Sequence, residues 1–241
     1  MSGHSKWNNI KRKKEKTDGQ RAKIFTKIGR EMSVCVKAGG GDPNVNTKLR
    51  DLIAKAKSMN VPNDNIQRII KKAEGGEKDD YESITYEGYG PSGVAMMVET
   101  LTDNRNRTAS DVRHAFDKNG GNMGQTGCVS WSFDKKGVIV VNNEDGDIEE
   151  DKMMEDALEA GASDMEQDGE IFSVYTEPDD VAAVAEYLTG HGYELLSAQA
   201  EMVPQTYITL TDEGDIKNMQ KMIDMFEDND DVQNVWHNWD N

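Results

Sequence analysis

Residues 137–177 read GVIVVNNEDGDIEEDKMMEDALEAGASDMEQDGEIFSVYTE. The β-branched run VIVVN predicts a strand, the apolar spacing of DKMMEDALEAG predicts a helix, and ASDMEQ and IFSVYTE predict two more strands. Downstream, PDDVAAVAEYLTGHG predicts a second helix and YELLSAQAEMV predicts a fourth strand. This β-α-β-β-α-β order is typical of a ferredoxin-like domain, which we predict over residues 136–204.

The segments on either side predict a second α+β unit. Upstream, YESITYEG, VAMMVETL and CVSWSF predict strands, and TASDVRHAFDKNGG predicts a helix with Thr108 as its N-cap. Downstream, TYITL and VQNVW predict strands that flank the helix DEGDIKNMQKMIDMFED. Because the downstream half would complete the unit begun upstream, we predict a discontinuous α+β middle domain, residues 79–135 and 205–241, interrupted by the inserted ferredoxin-like domain.

The first third of the chain has a helical pattern. Residues 21–74 carry apolar residues at three- and four-residue steps in three runs, separated by Gly39-Gly40-Gly41 and by Pro62. Short helices with brief connections favour a three-helix bundle, and the EGGEKDD that follows is typical of a linker. We therefore predict a multidomain α and α+β protein that begins with a basic tail and a three-helix bundle, residues 1–78.

Positive charge is concentrated at the amino-terminal end of an acidic chain. The 241 residues include 28 Lys and Arg against 45 Asp and Glu, a formal net charge of −17. Residues 1–78 hold 19 basic and 8 acidic residues, a net charge of +11, and residues 79–241 hold 9 basic and 37 acidic ones, a net charge of −28. This asymmetry favours a nucleic-acid-facing module on an acidic body, with a solvated basic tail as the alternative.

The basic segment supplies most of the candidate nucleic-acid contacts. Helical geometry places Lys23, Lys27 and Arg30 on one stripe, opposite the apolar positions of the same helix. Trp7 lies among cations, where its ring could stack on a base; docking of the tail on the bundle is the alternative for this residue. The candidates in this segment are Lys6, Trp7, Lys11, Arg12, Lys13, Lys14, Lys16, Arg21, Lys23, Lys27 and Arg30.

A second candidate site lies in DNRNRTASD. Arg105 and Arg107 come just before the predicted start of a helix, where unpaired backbone N–H groups and the helix dipole favour an anion. Two guanidinium groups would strengthen a phosphate site at this position. The alternative is that the arginines pair with Asp103, Asp111 or another carboxylate.

Enzyme, metal and cofactor motifs are not found in the sequence. The four histidines are scattered, no Ser or Cys lies in a nucleophile motif, and GYGPSG leads into a strand rather than a helix. The acidic clusters NNEDGDIEEDK and FEDNDD are interpreted as solvated surface. We therefore expect no catalytic residue, no metal and no cofactor.

Composition also bears on compartment and partners. The two cysteines lie far apart and no run of 18 apolar residues occurs, which favours a cytoplasmic protein without a membrane partner. Residues 136–204 hold 2 basic and 19 acidic residues, a surface that would repel a phosphate backbone. We assign that domain to contacts with proteins.

Five stretches resemble the YebC/PmpR family, namely GHSKWNNIKRKK, AKIFTKIGREM, VPNDNIQRIIKKA, YEGYGPSGVAMMVE and TDNRNRTASDVRHAFDKNGGNMGQTGCVSWSF. The resemblance spans essentially the full chain and implies the three-domain architecture predicted above. Bacterial members are generally described as transcriptional regulators that bind DNA. Relatives, among them the mitochondrial translational activator of cytochrome oxidase, are linked to translation and to relief of ribosome stalling. The resemblance implies that the nucleic-acid contacts are Lys6, Lys11, Arg12, Lys13, Lys14, Arg105 and Arg107.

These observations favour a non-enzymatic, nucleic-acid-binding regulatory protein. A DNA-binding transcriptional regulator is the first hypothesis, and a ribosome-associated translation factor that binds ribosomal or transfer RNA and relieves stalled translation is the alternative. The sequence contains no recognition helix with a base-reading set of side chains, which favours binding through the phosphate backbone of the nucleic acid. DNA and RNA both offer such a backbone, so this mode of binding is compatible with both hypotheses. An enzyme that uses Arg105 and Arg107 on a phosphate ligand is a third, weaker hypothesis.

Overall fold

The computed structural model describes residues 18–75 and 80–240, with backbone alone at residues 18–22 and Ser58. Within these residues the chain is a mixed α/β protein with seven α-helices and two antiparallel four-stranded sheets. The candidates Lys6, Trp7, Lys11, Arg12, Lys13, Lys14 and Lys16 lie outside the described residues, as does the side chain of Arg21. None of the helices in the described residues combines the length and the apolar character that crossing a bilayer requires.

The three predicted amino-terminal helices are present. They are α1 (Asp18–Gly39), α2 (Thr47–Ser58) and α3 (Asn63–Glu74). Their apolar faces meet in one cluster, because the three- and four-residue spacing puts these side chains on one side of each helix. The cluster includes Ile28, Met32, Cys35, Leu49, Ala56, Ile66 and Ile70.

The buried side chain of Asn46 connects α1 to α2. Its Oδ1 accepts the N–H of Leu49 at 3.1 Å, so Asn46 caps α2. Its Nδ2 donates to the carbonyl oxygens of Cys35 at 3.1 Å and Gly40 at 2.8 Å, at the end of α1. Because one side chain serves both helix ends, the turn between the helices is held without a longer loop.

The first sheet joins strands from distant parts of the chain. It contains β1 (Glu82–Tyr89), β2 (Ala95–Thr102), β3 (Asn122–Met123) and β9 (Val232–His237) in the order β3-β1-β2-β9. The helices α4 (Arg105–Lys118) and α7 (Glu213–Asp228) share a core with it, where the rings of Phe116 and Phe226 meet edge to face at 5.2 Å. The pairing of β2 with β9 brings the predicted halves of the middle domain together.

The second sheet lies between those two halves in sequence. It contains β4 (Phe133–Asn142), β5 (Asp164–Asp168), β6 (Ile171–Thr176) and β7 (Leu195–Pro204) in the order β5-β6-β4-β7. The helices α5 (Glu150–Glu159) and α6 (Val181–Gly190) pack on it over a separate apolar cluster that includes Ile139, Met153, Phe172 and Leu188. The predicted β-α-β-β-α-β order is therefore present. A parallel pair, β8 (Ile208–Thr209) and β10 (Trp239–Asp240), completes the fold.

One predicted strand is wrong. In CVSWSF, residues Ser130–Ser132 form a 3-10 turn, and the strand begins only at Phe133. The physical reason is a carboxylate on β1: Glu87 is 4% exposed and accepts the backbone N–H groups of Gly127, Val129 and Ser130 at 2.8, 2.8 and 2.9 Å. N–H groups committed to a carboxylate cannot take part in a strand ladder.

Candidate nucleic-acid interface

The predicted basic stripe of α1 faces acidic sequence of the same chain. The Nζ of Lys23 lies 2.8 Å from Oδ1 of Asp228, and the Nζ of Lys27 donates to the carbonyl oxygen of Glu227 at 2.8 Å. Both acceptors belong to the last turn of α7, where unpaired carbonyls and the helix dipole stabilise cations. These two lysines therefore connect α1 to the end of α7, through an exposed pair at Lys23 and a part-buried bond at Lys27.

Arg30 continues this contact into a buried ion cluster around Asp231. The Nη1 of Arg30 donates to Oδ1 of Asp231 at 2.5 Å and to the carbonyl oxygens of Asp230 and Leu101 at 3.0 and 3.2 Å. On the other side of the carboxylate, Arg107 donates through Nε and Nη2 to Oδ2 at 3.2 and 2.7 Å. One carboxylate thus joins the amino-terminal helices to the start of α4.

Two hydroxyl groups complete the shell around Asp231. Thr108 Oγ1 donates to Oδ2 at 2.7 Å, and Thr102 Oγ1 lies 3.3 Å from the same oxygen. The side chain of Asp231 is only 4% exposed. Burial by itself would raise the pKa of Asp231, but the hydrogen bonds from Arg107, Thr108 and Arg30 outweigh burial and hold the pKa below its ordinary value. The hydrogen bond to Asp231 likewise raises the pKa of Arg107, so this carboxylate and this guanidinium both stay charged near neutral pH.

Acidification is expected to remove the stabilisation that Asp231 provides. Since the pKa of this carboxyl is lower in the folded chain than in the unfolded one, its contribution is fully present above the unfolded value, about 4, and is lost as the pH falls through the folded value. The melting temperature of the Asp231→Asn variant, followed by calorimetry from neutral to acid pH, should fall less on acidification than that of the wild type. Parallel curves would contradict this role for Asp231.

The two predicted arginines are separated by the structure. Arg107 pairs with Asp231 and with Asp103, at 2.8 Å, which is the alternative that the sequence left open. Arg105 lies on the surface with its side chain 68% exposed, 3.4 Å from Glu82. The N-terminus of α4 is capped by Asn104, whose Oδ1 accepts the N–H of Arg107 at 3.1 Å. The predicted N-cap Thr108 is therefore wrong, and both arginines lie inside the first turn of the helix. Of this pair, Arg105 is the one that a phosphate can reach without breaking a buried ion pair.

An open cleft of about 300 Å³ lies over the cluster. Both guanidinium groups on its wall pair with Asp231, and the lining contains four carboxylates against these two cations. The charged lining residues are Arg30, Arg107, Asp103, Asp111, Asp230 and Asp231. A polyanion entering this cleft would meet net negative charge, so the cleft does not fit a phosphate backbone.

Cations on the other helices face solvent. α2 and α3 carry exposed basic side chains at several turns, and α1 ends with exposed Lys37, whose Nζ is 3.9 Å from Asp80. The exposed cations of α2 and α3 are Lys48, Arg50, Lys57, Arg68, Lys71 and Lys72. The structure therefore divides the basic segment into cations that hold α1 in place and cations that a nucleic acid can reach.

The roles of Asp231 and Glu87 were not predicted from the sequence. Asp231 belongs to FEDNDD, interpreted above as solvated acid, and this interpretation is wrong for Asp231, which is 3% exposed. Its partner Arg30 lies 201 positions away. A pattern of neighbouring residues contains no information about a contact between two positions so far apart in the chain. The alternation of YESITYEG places Glu87 on the face opposite Ile84 and Tyr86, so the strand pattern contained no sign that this carboxylate is buried.

The chain matches two family models. The model described as "TACO1/YebC protein N-terminal domain" matches residues 5–76, and the model described as "TACO1/YebC second and third domain" matches residues 81–239. Together they account for the helical segment and for both sheets. The chain belongs to the TACO1/YebC family, and the resemblance noted in the sequence is confirmed.

Relatives match over the full length. A protein of Acetivibrio thermocellus is 58% identical over 99% of both chains, and one of Caldicellulosiruptor bescii is 56% identical over 100% of this chain and 98% of its own. Both are named "Probable transcriptional regulatory protein". The crystal structure of a conserved hypothetical protein from Aquifex aeolicus, 42% identical, superposes with a TM-score of 0.83 and covers 93% of this chain and 92% of that one.

Proposed function

We propose that the protein is a non-enzymatic, cytoplasmic, DNA-binding transcriptional regulator. The partition of charge carries this proposal: the net charge is +11 over residues 1–78 and −28 over the rest. A polyanion is attracted to the first part and repelled by the second, so it binds at one end of the chain. The names of the full-length relatives, probable transcriptional regulatory proteins, support the same function.

We also propose three domains with the boundaries predicted from the sequence: residues 1–78, residues 79–135 with 205–241, and residues 136–204. Separate apolar clusters support this division. The antiparallel pairing of β2 with β9 supports a discontinuous middle domain. The strand order β5-β6-β4-β7, with helices after the first and third strands, supports a ferredoxin-like inserted domain.

Within this proposal the basic residues have two roles. Lys6, Lys11, Arg12, Lys13, Lys14 and Lys16, together with the exposed cations of α2 and α3 and with Arg105, hold phosphate, and Trp7 stacks on a base. Lys23, Lys27, Arg30 and Arg107 position the amino-terminal helices on the middle domain, an assignment supported by their ion pairs with Asp228 and Asp231 and by the Lys27 bond to the Glu227 carbonyl. The acidic domain engages proteins.

Neutralising the tail tests this function. Replacing Lys11, Arg12, Lys13 and Lys14 together with Ala should weaken binding to duplex DNA roughly tenfold or more, because each lost phosphate contact also removes a released counterion. The log–log dependence of affinity on salt should flatten by about 3, at roughly 0.7 to 0.9 for each contact. Fluorescence anisotropy titrations at several salt concentrations measure both quantities.

A matched control removes the same charge elsewhere. Lys118, Lys135, Lys217 and Lys221 are exposed lysines of the acidic part, and replacing these four with Ala changes the net charge equally. We expect this control to leave the salt dependence almost unchanged. An equal loss in both variants would show that net charge, and not the tail, governs binding.

Sucrose-gradient sedimentation of a cell lysate distinguishes transcription from translation. We expect the protein to separate from ribosomes at physiological salt and to be recovered with DNA. Co-migration with ribosomes at that salt concentration would overturn the transcriptional assignment and support the translation factor instead.

A further inference from the structure

Three stretches without a charged residue meet in the folded chain. Residues 119–133 form the longest such run, with 15 residues, followed by residues 88–98 and 202–211 with 11 and 10. Asn122 pairs with Tyr89 across β3 and β1, and the N–H of Gln205 donates to the carbonyl of Ser132 at 2.9 Å. We call Tyr89, Gly121–Ser132 and Gln205 the neutral surface. Its lack of charged residues contrasts with the excess of acidic residues over positions 79–241.

Two aromatic side chains are exposed on the neutral surface and share one anchor. Trp131 is 72% exposed and Tyr89 is 38% exposed. The Nε1 of Trp131 and the hydroxyl of Tyr89 both donate to the carbonyl oxygen of Cys128, at 2.9 and 3.0 Å. Since the one polar atom of each ring is already bonded within the chain, what remains for a ligand is the aromatic surface.

The loop that carries Trp131 is held in place before any ligand arrives. The carboxylate of Glu87 accepts three donors of this loop, the N–H groups of Gly127, Val129 and Ser130. Gly121 packs so closely on β1 that a Cβ there would lie 2.6 Å from the carbonyl oxygen of Tyr89. A preorganised loop loses little conformational entropy when it binds, so an exposed ring on it can contribute most of its contact energy to affinity.

We propose that Trp131 and Tyr89 form a binding site for unpaired nucleobases, separate from the basic amino-terminal segment. This inference rests on the proposed function, which makes nucleic acid the partner. Every base offers a π-face for stacking, whatever the sequence. No residue of the neutral surface is charged, but the exposed carboxylate of Asp134 lies at its edge and accepts a hydrogen bond from Gln205 Nε2 at 3.0 Å. The amides of Asn122 and Gln125 are the kind of group that meets base edges. The neutral surface supplies no charged side chain of its own to a protein partner recognised through ion pairs.

Binding of a short single strand by the full-length protein tests the site. A labelled oligodeoxynucleotide of about twelve residues is compared with an abasic strand of the same length, at one salt concentration and then at several. Trp131→Ala should weaken binding of the base-containing strand about tenfold, in the range measured for loss of a stacked base. Its affinity for the abasic strand and its salt dependence should not change.

Two further variants separate stacking from folding. Trp131→Phe keeps an aromatic ring and should retain most of the affinity, whereas Val45→Ala, at a side chain 79% exposed elsewhere, should have no effect. Circular dichroism should match the wild type for all three variants. Equal binding of both strands by the wild type, or an unchanged affinity in Trp131→Ala, would overturn the nucleobase site and leave the proposed function standing. Binding of neither strand would overturn this inference, and only a failure to bind duplex DNA as well would overturn the proposed function with it.

Discussion

Replacing Asp231 with Ala should lower the free energy of unfolding by about 3–5 kcal/mol, the range for breaking a buried ion pair from one side. The variant leaves Arg30 and Arg107 facing each other without the carboxylate that they share. It also removes one of the acceptors of the Thr108 hydroxyl, which lies 2.7 Å from Oδ2. Calorimetry and denaturant titration of the full chain measure the loss.

The neighbouring carboxylate is the control for Asp231. Asp230 is exposed, and Arg30 bonds to its backbone carbonyl and not to its side chain. Asp230→Ala therefore removes the same charge and should change stability by less than about 0.5 kcal/mol. If the two variants lost equal stability, the ion cluster would not be what holds the amino-terminal helices to the middle domain.

Replacing Glu87 with Ala should cost about 1–3 kcal/mol, since it leaves three loop N–H groups without their acceptor and the N–H of Val129 among them is buried. The loss should be concentrated in the loop before β4. Burial by itself would raise the pKa of Glu87, but the three backbone N–H groups outweigh burial and keep the pKa below its ordinary value, so a charged acceptor is present at neutral pH.

Hydrogen exchange locates this effect. Amide protection at Gly127, Val129 and Ser130 should fall in Glu87→Ala, while protection in α5 and α6 should be unchanged. Glu82→Ala is the matched control, because Glu82 lies on the same strand with its side chain 54% exposed beside Arg105. Protection that survives in Glu87→Ala would show that the loop is held by other contacts. The proposed nucleobase site would then lose its preorganisation.

The secondary structure could be predicted wherever local spacing determined which side chains are buried. Along β6, every residue from Ile171 to Thr176 is buried, and the run IFSVYT already indicated a strand. The three helices before residue 75 follow from the same kind of spacing. The strand predicted over CVSWSF failed because Glu87, more than 40 positions earlier, takes the N–H groups that a ladder would need.

The candidate site was predictable only in part. The concentration of cations before residue 78 is a property of composition, and Arg105 is as exposed as a surface anion site requires. The roles of Lys23, Lys27, Arg30 and Arg107 were not predictable, because a periodic pattern identifies the polar side of a helix without identifying what lies against it.

The sequence by itself determined the order of helices and strands, the family and the separation of positive from negative charge, because each depends on neighbouring residues or on counts. Only the tertiary structure decided which charges meet. Asp231 binds Arg30 and Arg107 across 201 and 124 positions, and Trp131 and Tyr89 share the carbonyl of Cys128 across two elements. The energy of an ion pair or a hydrogen bond depends on distance in space and on burial, and neither is encoded in local spacing along the chain.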